Sequence, residues 1–342
     1  MKNGERSMEN EIKEERNGDP STLHSSPSIQ QWPRVGIVLV NYNSYNDTSR
    51  CLESLEAMTY PNAEIIVVDN GSRDHSGTRL QEEFPGTTFL FSKENTGFTG
   101  GNNIGTDYAL DAGCDHVLLL NNDTMVTPGF LEPLVERMES DPKIAAVSGK
   151  IYYAPEQRNG EADIIWYAGC YRKWHMGYHH YGVEEKDTGK YEDAREIPYA
   201  SGCLMLMRGS VIRQLGTLCD DFFIYWEEAD WCHRARDAGY TCVYEPKSII
   251  YHNFKSAALG HETPFHMYMQ YRNAFIYAKK HYHGFEGLQY WLFYPLYIAN
   301  RIRLDLRAKN TRAAKATLWG VRDYFRGFKG RKGLKERGFL QA

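Results

Sequence analysis

Apolar and polar positions alternate on a coarse scale along the first half of the chain. VGIVLV at 35–40 is short, wholly apolar and β-branched, as a strand buried on both faces should be. EIIVV at 64–68, TTFLF at 87–91 and HVLLL at 116–120 repeat the texture, each followed by a polar loop. Helical stretches separate them. TSRCLESLEAM places Leu52, Leu55 and Met58 on one face, and a helix through Tyr108 and Leu110 follows the third strand. Thr127 and Pro128 read as the cap and first-turn proline of another helix. Strand-helix alternation at this spacing predicts right-handed β-α-β units and an open, mostly parallel sheet with flanking helices.

Ligands of such sheets sit beyond the carboxyl ends of the strands. Four loops are thereby singled out, at Asn41, at Asp69, at Asn95 and Gly97, and at Asn121-Asn122-Asp123. Later segments are less regular. SGCLMLMR at 201–208 reads as a strand, and 222–240 as a strand or loop that becomes a helix. VYEPKSIIYH at 243–252 reads as a strand ending on His252, and from Pro264 the pattern is helical and amphipathic.

Composition changes this picture little. Of 342 residues, 42% are apolar and 25% charged, which is ordinary for a globular protein. The formal charge of −4 conceals a strong asymmetry. From Arg301 onward there are 13 Lys and Arg against 3 Asp and Glu, which suggests an anionic contact for that end. A membrane surface suits it better than nucleic acid, because no recognition motif accompanies the charge. QYWLFYPLYIANRIRL at 289–304 is too short and too polar for a span but suits a surface-lying helix. Residues 1–33, polar and nearly free of large apolar groups, are expected to be a disordered leader. Seven scattered cysteines without a C-x-x-C argue against a disulfide framework or a zinc cluster, and point to a reducing cytoplasm.

The candidate chemistry lies at the strand ends. A carboxylate at Asp69 can accept hydrogen bonds from a base or a ribose; turn capping is the competing reading. Asp123, with Asn122 beside it, offers hard oxygen ligands suited to Mg²⁺ or Mn²⁺. Glu227, Glu228 and Asp230 directly follow the aromatic run FFIYW, so one of them, desolvated, would make a general base. The alternative is an acidic helix start, with Asp230 and Arg234 as an i,i+4 pair.

Taken together, VGIVLVNYNS, IIVVDNGSRD, KENTGFTGGNNIG, LLLNNDT, SGCLMLMR and WEEADWCHRARDAGY resemble, in order and spacing, the motifs of glycosyltransferase family 2. The resemblance spans residues 35–252. ENTGFTGGNN and NNDT are similar to the bacterial rhamnosyltransferase branch, and 226–252 to the galactofuranosyltransferase branch. It implies a GT-A fold at residues 34–262; residues 263–342 are expected to be a basic amphipathic helical extension, lying on a membrane surface or else packed as core helices on the catalytic domain. It implies a nucleotide-sugar donor, dTDP-rhamnose first and UDP-sugars next, with a glycan or lipid-linked saccharide acceptor. Asp69 would bind the base with Asn41 nearby, and Asn95 and Gly97 would line the donor site. Asp123 and His252 would hold the metal, and Glu228 would be the base, with Glu227 and Asp230 as alternatives. Asn121 stands where the family often has Asp, and Glu228 where it usually has Asp. A dinucleotide-binding oxidoreductase is disfavoured because the first loop, NYNSYN, has no glycine. An inert carbohydrate-binding relative is the alternative from another class.

Overall fold

The four apolar runs form β1 (Val35–Asn41), β2 (Ala63–Asp69), β3 (Thr88–Phe91) and β4 (His116–Leu120) in the computed structural model. It describes residues 32–173, 177–253 and 263–340, so the leader expected at 1–33 lies, but for its last two residues, outside the described residues. β1 pairs in parallel with β2 and β4, and β2 with β3. Helices α1 (Tyr45–Glu56), α2 (Ser76–Glu83) and α3 (Gly97–Asp111) make the crossovers. In register, Asn41 lies opposite Asp69 and Asp69 opposite Phe91, so the loops leave the sheet at one level.

The glycines of the third loop allow a helix to lie very close to the sheet. A β-carbon on Gly101 would come within 2.7 Å of Val40, and one on Gly105 within 2.3 Å of Val38. Helical glycine costs about 1 kcal/mol relative to alanine, which the close α3–sheet packing offsets.

The remaining elements are β5 (Thr124–Val126), α4 (Leu131–Glu139), β6 (Ile144–Tyr153), β7 (Ile165–Tyr167), β8 (Cys170–Lys173), β9 (Gly177–His180), β10 (Arg195–Glu196), β11 (Leu204–Arg208), α5 (Gly209–Leu215), α6 (Glu227–Asp237) and β12 (Thr241–His252). The main sheet runs β10-β12-β6-β11-β4-β1-β2-β3. β11 is antiparallel to both of its neighbours, whereas β12 is parallel to β6. This is a mixed sheet whose parallel half carries the expected loops.

Two local expectations change. Helix α4 begins at Leu131, not at Thr127-Pro128. The Thr127 hydroxyl instead donates to the Ile249 carbonyl oxygen at 2.9 Å, tying this loop to β12. β6 is buried along all ten residues, yet its sequence gives no clean apolar run, because Ser148, Gly149 and Lys150 interrupt it. Lys150 is tolerated there because its ammonium meets Asp187 at 2.7 Å, and also Glu192.

Beyond the main sheet come α7 (Pro264–His281), α8 (Gly284–Arg307) and α9 (Thr311–Phe325). Thr263 and Asn310 cap α7 and α9 through their side-chain oxygens. Gly320 of α9 lies so close to α7 that a β-carbon would approach the Tyr268 carbonyl oxygen to 2.5 Å. From Pro33 onward the chain clusters as one compact unit. Its seven cysteines are all reduced, and only Cys219 is partly exposed.

Candidate active site

A cleft of about 620 Å³ opens along the carboxyl ends of β1, β2 and β4. Beneath it, one hydrogen-bond chain ties three loops together. The Asn122 amide donates to the Thr48 hydroxyl at 2.7 Å, and that hydroxyl donates to Asn41 Oδ1 at 2.9 Å. Asn41 Nδ2 then donates to Asp69 Oδ2 at 2.8 Å, while Asp69 Oδ1 accepts from the Ser72 amide at 3.0 Å. Asn41 and Asp69 are buried and do not line the cleft. Asn70, Arg73, Tyr42 and Asn43 do. The strand-end pattern does not single out these four; for Asn70 and Arg73 the available signal is their place in DNGSR, directly after a strand.

Asn95 and Gly97 line the cleft as expected. Asn95 Oδ1 accepts from the Gly97 amide at 2.8 Å, and Asn70 Nδ2 donates to the Gly97 carbonyl oxygen at 2.9 Å. Gly97 has φ +81, and a β-carbon there would meet the Phe223 carbonyl oxygen at 2.4 Å. Phe223 in turn lines the cleft, as do Phe265 and Phe339 from the C-terminal part. The periodicity of residues 263–340 gave no sign that this part walls the site.

Asp123 and His252 meet. β5 pairs antiparallel with the end of β12, setting Thr124 opposite His252. This brings Asp123 Oδ1 to 3.0 Å from His252 Nε2. His252 is buried, with Trp166 edge-on at 4.7 Å between ring centroids. Burial opposes charge on this imidazole, but Cys203 and Asp123 hold its pKa well above the ordinary histidine value, so a cation at Nε2 would have to displace the proton shared with Asp123. Adjacent ligands of an octahedral ion at roughly 2.1 Å are about 3.0 Å apart, so the pair has the spacing of two such ligands. Among the described residues no third His, Cys, Asp or Glu completes the set. Further positions would fall to diphosphate oxygens and water, as is usual for Mg²⁺ or Mn²⁺.

The three acids of α6 have three different surroundings. Glu228 lines a second, smaller cavity of about 180 Å³ with Tyr178, Tyr199, Tyr225, Trp226 and Gln270. Burial raises its pKa above the ordinary glutamate value. Glu227 is buried behind it, and burial, reinforced by the Glu228 charge, raises its pKa well above that range. Burial and mutual repulsion thus disfavour two negative charges on this adjacent pair. Asp230 opens on neither cavity. Its carboxylate meets Lys280 Nζ and His281 Nε2, each at 2.8 Å, and Arg234 Nε at 3.0 Å. Burial works against its charge, yet His281, Lys280 and Arg234 hold the carboxyl below the usual aspartate value.

The segment that delivers these acids is strained. Phe223, Tyr225 and Trp226 have φ of 70°, 69° and 81°. Left-handed conformations cost of order 1–3 kcal/mol for each residue with a β-carbon, and persist only where surrounding structure imposes them.

Residues 36–216, just over half of the chain, match the family model for glycosyl transferase family 2. The chain belongs to glycosyl transferase family 2. Among relatives of this transferase, a low-salt glycan biosynthesis hexosyltransferase, Agl10 of Haloferax volcanii, is 26% identical over 248 residues, covering 71% of this chain and 74% of its own. An N-acetylglucosaminyl-diphospho-decaprenol L-rhamnosyltransferase of Mycobacterium tuberculosis is 24% identical over 293 residues, covering 80% and 91% respectively. The solved structure of GalNAc-T7 with UDP, GalNAc and Mn²⁺ superposes with a TM-score of 0.53 at 18% identity, over 65% of this chain and 43% of that one. The transferase thus has the GT-A fold. Glu228 and His252 both lie beyond the segment that the family model covers.

Proposed function

We propose that this glycosyltransferase moves a sugar, with inversion, from a nucleotide-sugar donor to a saccharide hydroxyl, using a divalent cation held by Asp123 and His252. The observation that carries this reading is the convergence of Asp123 and His252 at the cleft, with Glu228 in its own aromatic cavity.

The donor would lie in the larger cleft. Asn70, Asn95, Tyr42 and Arg73 offer it polar and stacking contacts, and the Asn41–Asp69 pair fixes the loops that carry them. A cation bound to Asp123 and His252 would act as a Lewis acid towards the departing diphosphate. Glu228 accepts the proton of the acceptor hydroxyl. The acceptor oxygen forms a bond to the anomeric carbon as the bond from that carbon to the diphosphate oxygen breaks. The leaving nucleoside diphosphate takes the electron pair. Glu227, next to Glu228 in the chain, is buried, and burial together with the Glu228 charge disfavours a second negative charge there. Asp230 acts as a brace between α6 and α7.

For the sugar we favour L-rhamnose from dTDP-rhamnose, supported by the ENTGFTGGNN and NNDT segments and by the mycobacterial relative. A lipid-linked saccharide acceptor is supported by the outer face of α8. Phe285, Leu288, Leu292 and Leu296 recur at i+3 and i+4 spacing and are 74%, 65%, 60% and 65% exposed. Arg303 and Arg307 follow on the same helix, as a surface-lying helix on anionic lipid requires. Among the described residues no helix is long and apolar enough to cross a membrane.

A thermal-shift screen of nucleotide sugars with Mn²⁺ or Mg²⁺, followed by transfer assays on responders, tests the reading. A bound donor stabilises the fold by mass action. Metal-dependent stabilisation by dTDP-rhamnose, with its turnover, is expected. A response to UDP-sugars alone would replace the donor, and silence with every nucleotide sugar would sink the proposal.

A further inference from the structure

The strained segment between the two cavities is not held by its own sequence. The backbone carbonyls of Phe222, Ile224 and Tyr225 point at α7, where two adjacent, fully buried side chains receive them. The two N–H groups of Asn273 Nδ2 are shared among the carbonyl oxygens of Phe222, Ile224 and Tyr225, at 2.9, 2.8 and 2.9 Å. Arg272 donates through Nη2 to the same Phe222 oxygen at 3.0 Å and through Nη1 to the Gly330 carbonyl oxygen at 2.8 Å. Its Nε donates to Asn273 Oδ1 at 3.0 Å. A guanidinium only donates, so this last bond sets the orientation of the Asn273 amide and turns its N–H groups towards the loop.

The two ends of the segment are not equally supported. On the donor side, Phe223 has a hold of its own, because its carbonyl oxygen accepts from the Thr99 amide at 3.1 Å. Across Ile224 and Tyr225, it is Asn273 that gathers the carbonyls while the chain turns into α6 and sets Glu228 in the smaller cavity.

We infer that Asn273, oriented by Arg272, is a positioning residue for glycosyl transfer. It holds residues 222–226 in the backbone conformation that presents Glu228 to the acceptor hydroxyl. The inference rests on Glu228 being the base.

Asn273→Asp keeps the shape and the acceptor for Arg272, but turns an oxygen towards the three carbonyls. Misplacing a reacting group by 1 Å costs roughly a hundredfold in rate, so kcat for transfer should fall by about that factor. Donor affinity, measured by titration calorimetry with Mn²⁺, should fall by much less than kcat, because Phe223 in the cleft wall keeps its bond from Thr99. A double variant, N273D with E228Q, should transfer no more than about threefold slower than E228Q alone, since both changes act on one group. Asn273→Ala and Arg272→Lys serve if N273D loses its cooperative melting transition.

Folded Asn273 variants with unchanged kcat would overturn the inference. So would losses that multiply in the double variant, or a kcat loss matched by an equal loss of donor affinity. If E228Q alone keeps full activity, the base assignment fails separately. In that case N273D still decides whether the clamp sets the transfer geometry, by its own split between kcat and donor affinity.

Discussion

Asp123 Oδ1 lies 3.0 Å from His252 Nε2, across 129 positions of sequence, because β5 folds back along the last residues of β12. A carboxylate and an imidazole so placed should behave as one metal site. Asp123→Asn and His252→Ala should each weaken metal-supported transfer by at least the roughly 10–100-fold that loss of an outer-shell partner costs. Following transfer while titrating Mn²⁺ into the chelated enzyme measures this. A variant that reaches wild-type rate at the wild-type metal concentration would remove that residue from the site.

Glu228→Gln should lower kcat by roughly 10²–10⁴ with little change in donor affinity. The pH profile supplies an independent check. A base must be deprotonated, and burial raises the Glu228 pKa, so activity should fall with decreasing pH through a value above the ordinary carboxylate range. An acidic limb at or below about 4.3, the unperturbed glutamate value, would count against Glu228.

Asp230 should matter to stability and not to proton transfer. Its folded-state pKa is depressed, so its contribution is present above the unfolded value of about 3.9 and is lost as pH falls through the folded one. Asp230→Asn leaves Lys280, His281 and Arg234 without their common partner, at a cost of up to about 3–5 kcal/mol. Urea unfolding at neutral pH should show a lower midpoint with an unchanged slope. An unchanged midpoint together with lost activity would return Asp230 to the list of bases.

Gly97→Ala forces a β-carbon onto a residue at φ +81 and against the Phe223 carbonyl oxygen. The left-handed penalty alone is about 1–2 kcal/mol, and the clash shifts a wall of the cleft. A lower melting temperature and weaker donor binding should appear together. Full donor affinity in the alanine variant would show that the contact can relax.

Replacing Leu288 and Leu292 of α8 by Glu should reduce sedimentation with vesicles containing anionic phospholipid. The melting temperature should barely move, since both side chains are more than half exposed. Equal sedimentation of wild type and variant would remove α8 as the contact.

The strand-end loops were legible because each follows an apolar run, and period and polarity change together at Asn41, Asp69, Asn95 and Asn121. The parallel half of the sheet followed from the same pattern. What resisted was set by distant contacts. Lys150 disguises β6 until its partners Asp187 and Glu192 are known. Asp230 reads as a possible base until Lys280 and His281 arrive from α7. Asn70 was overlooked beside the more acidic Asp69, though it is Asn70 that borders the cleft. Phe339 carries no local signal of its place in the cleft wall.

The reach of Asn273 back to residues 222–225 has a consequence for exchanging parts between relatives. A splice between 226 and 263 falls past the segment that the family model covers. It would nevertheless separate a bent loop from the amide that keeps it bent. Any portable piece that carries Glu228 must therefore keep that loop together with α7. Chimeras cut between the two should transfer poorly even where they fold.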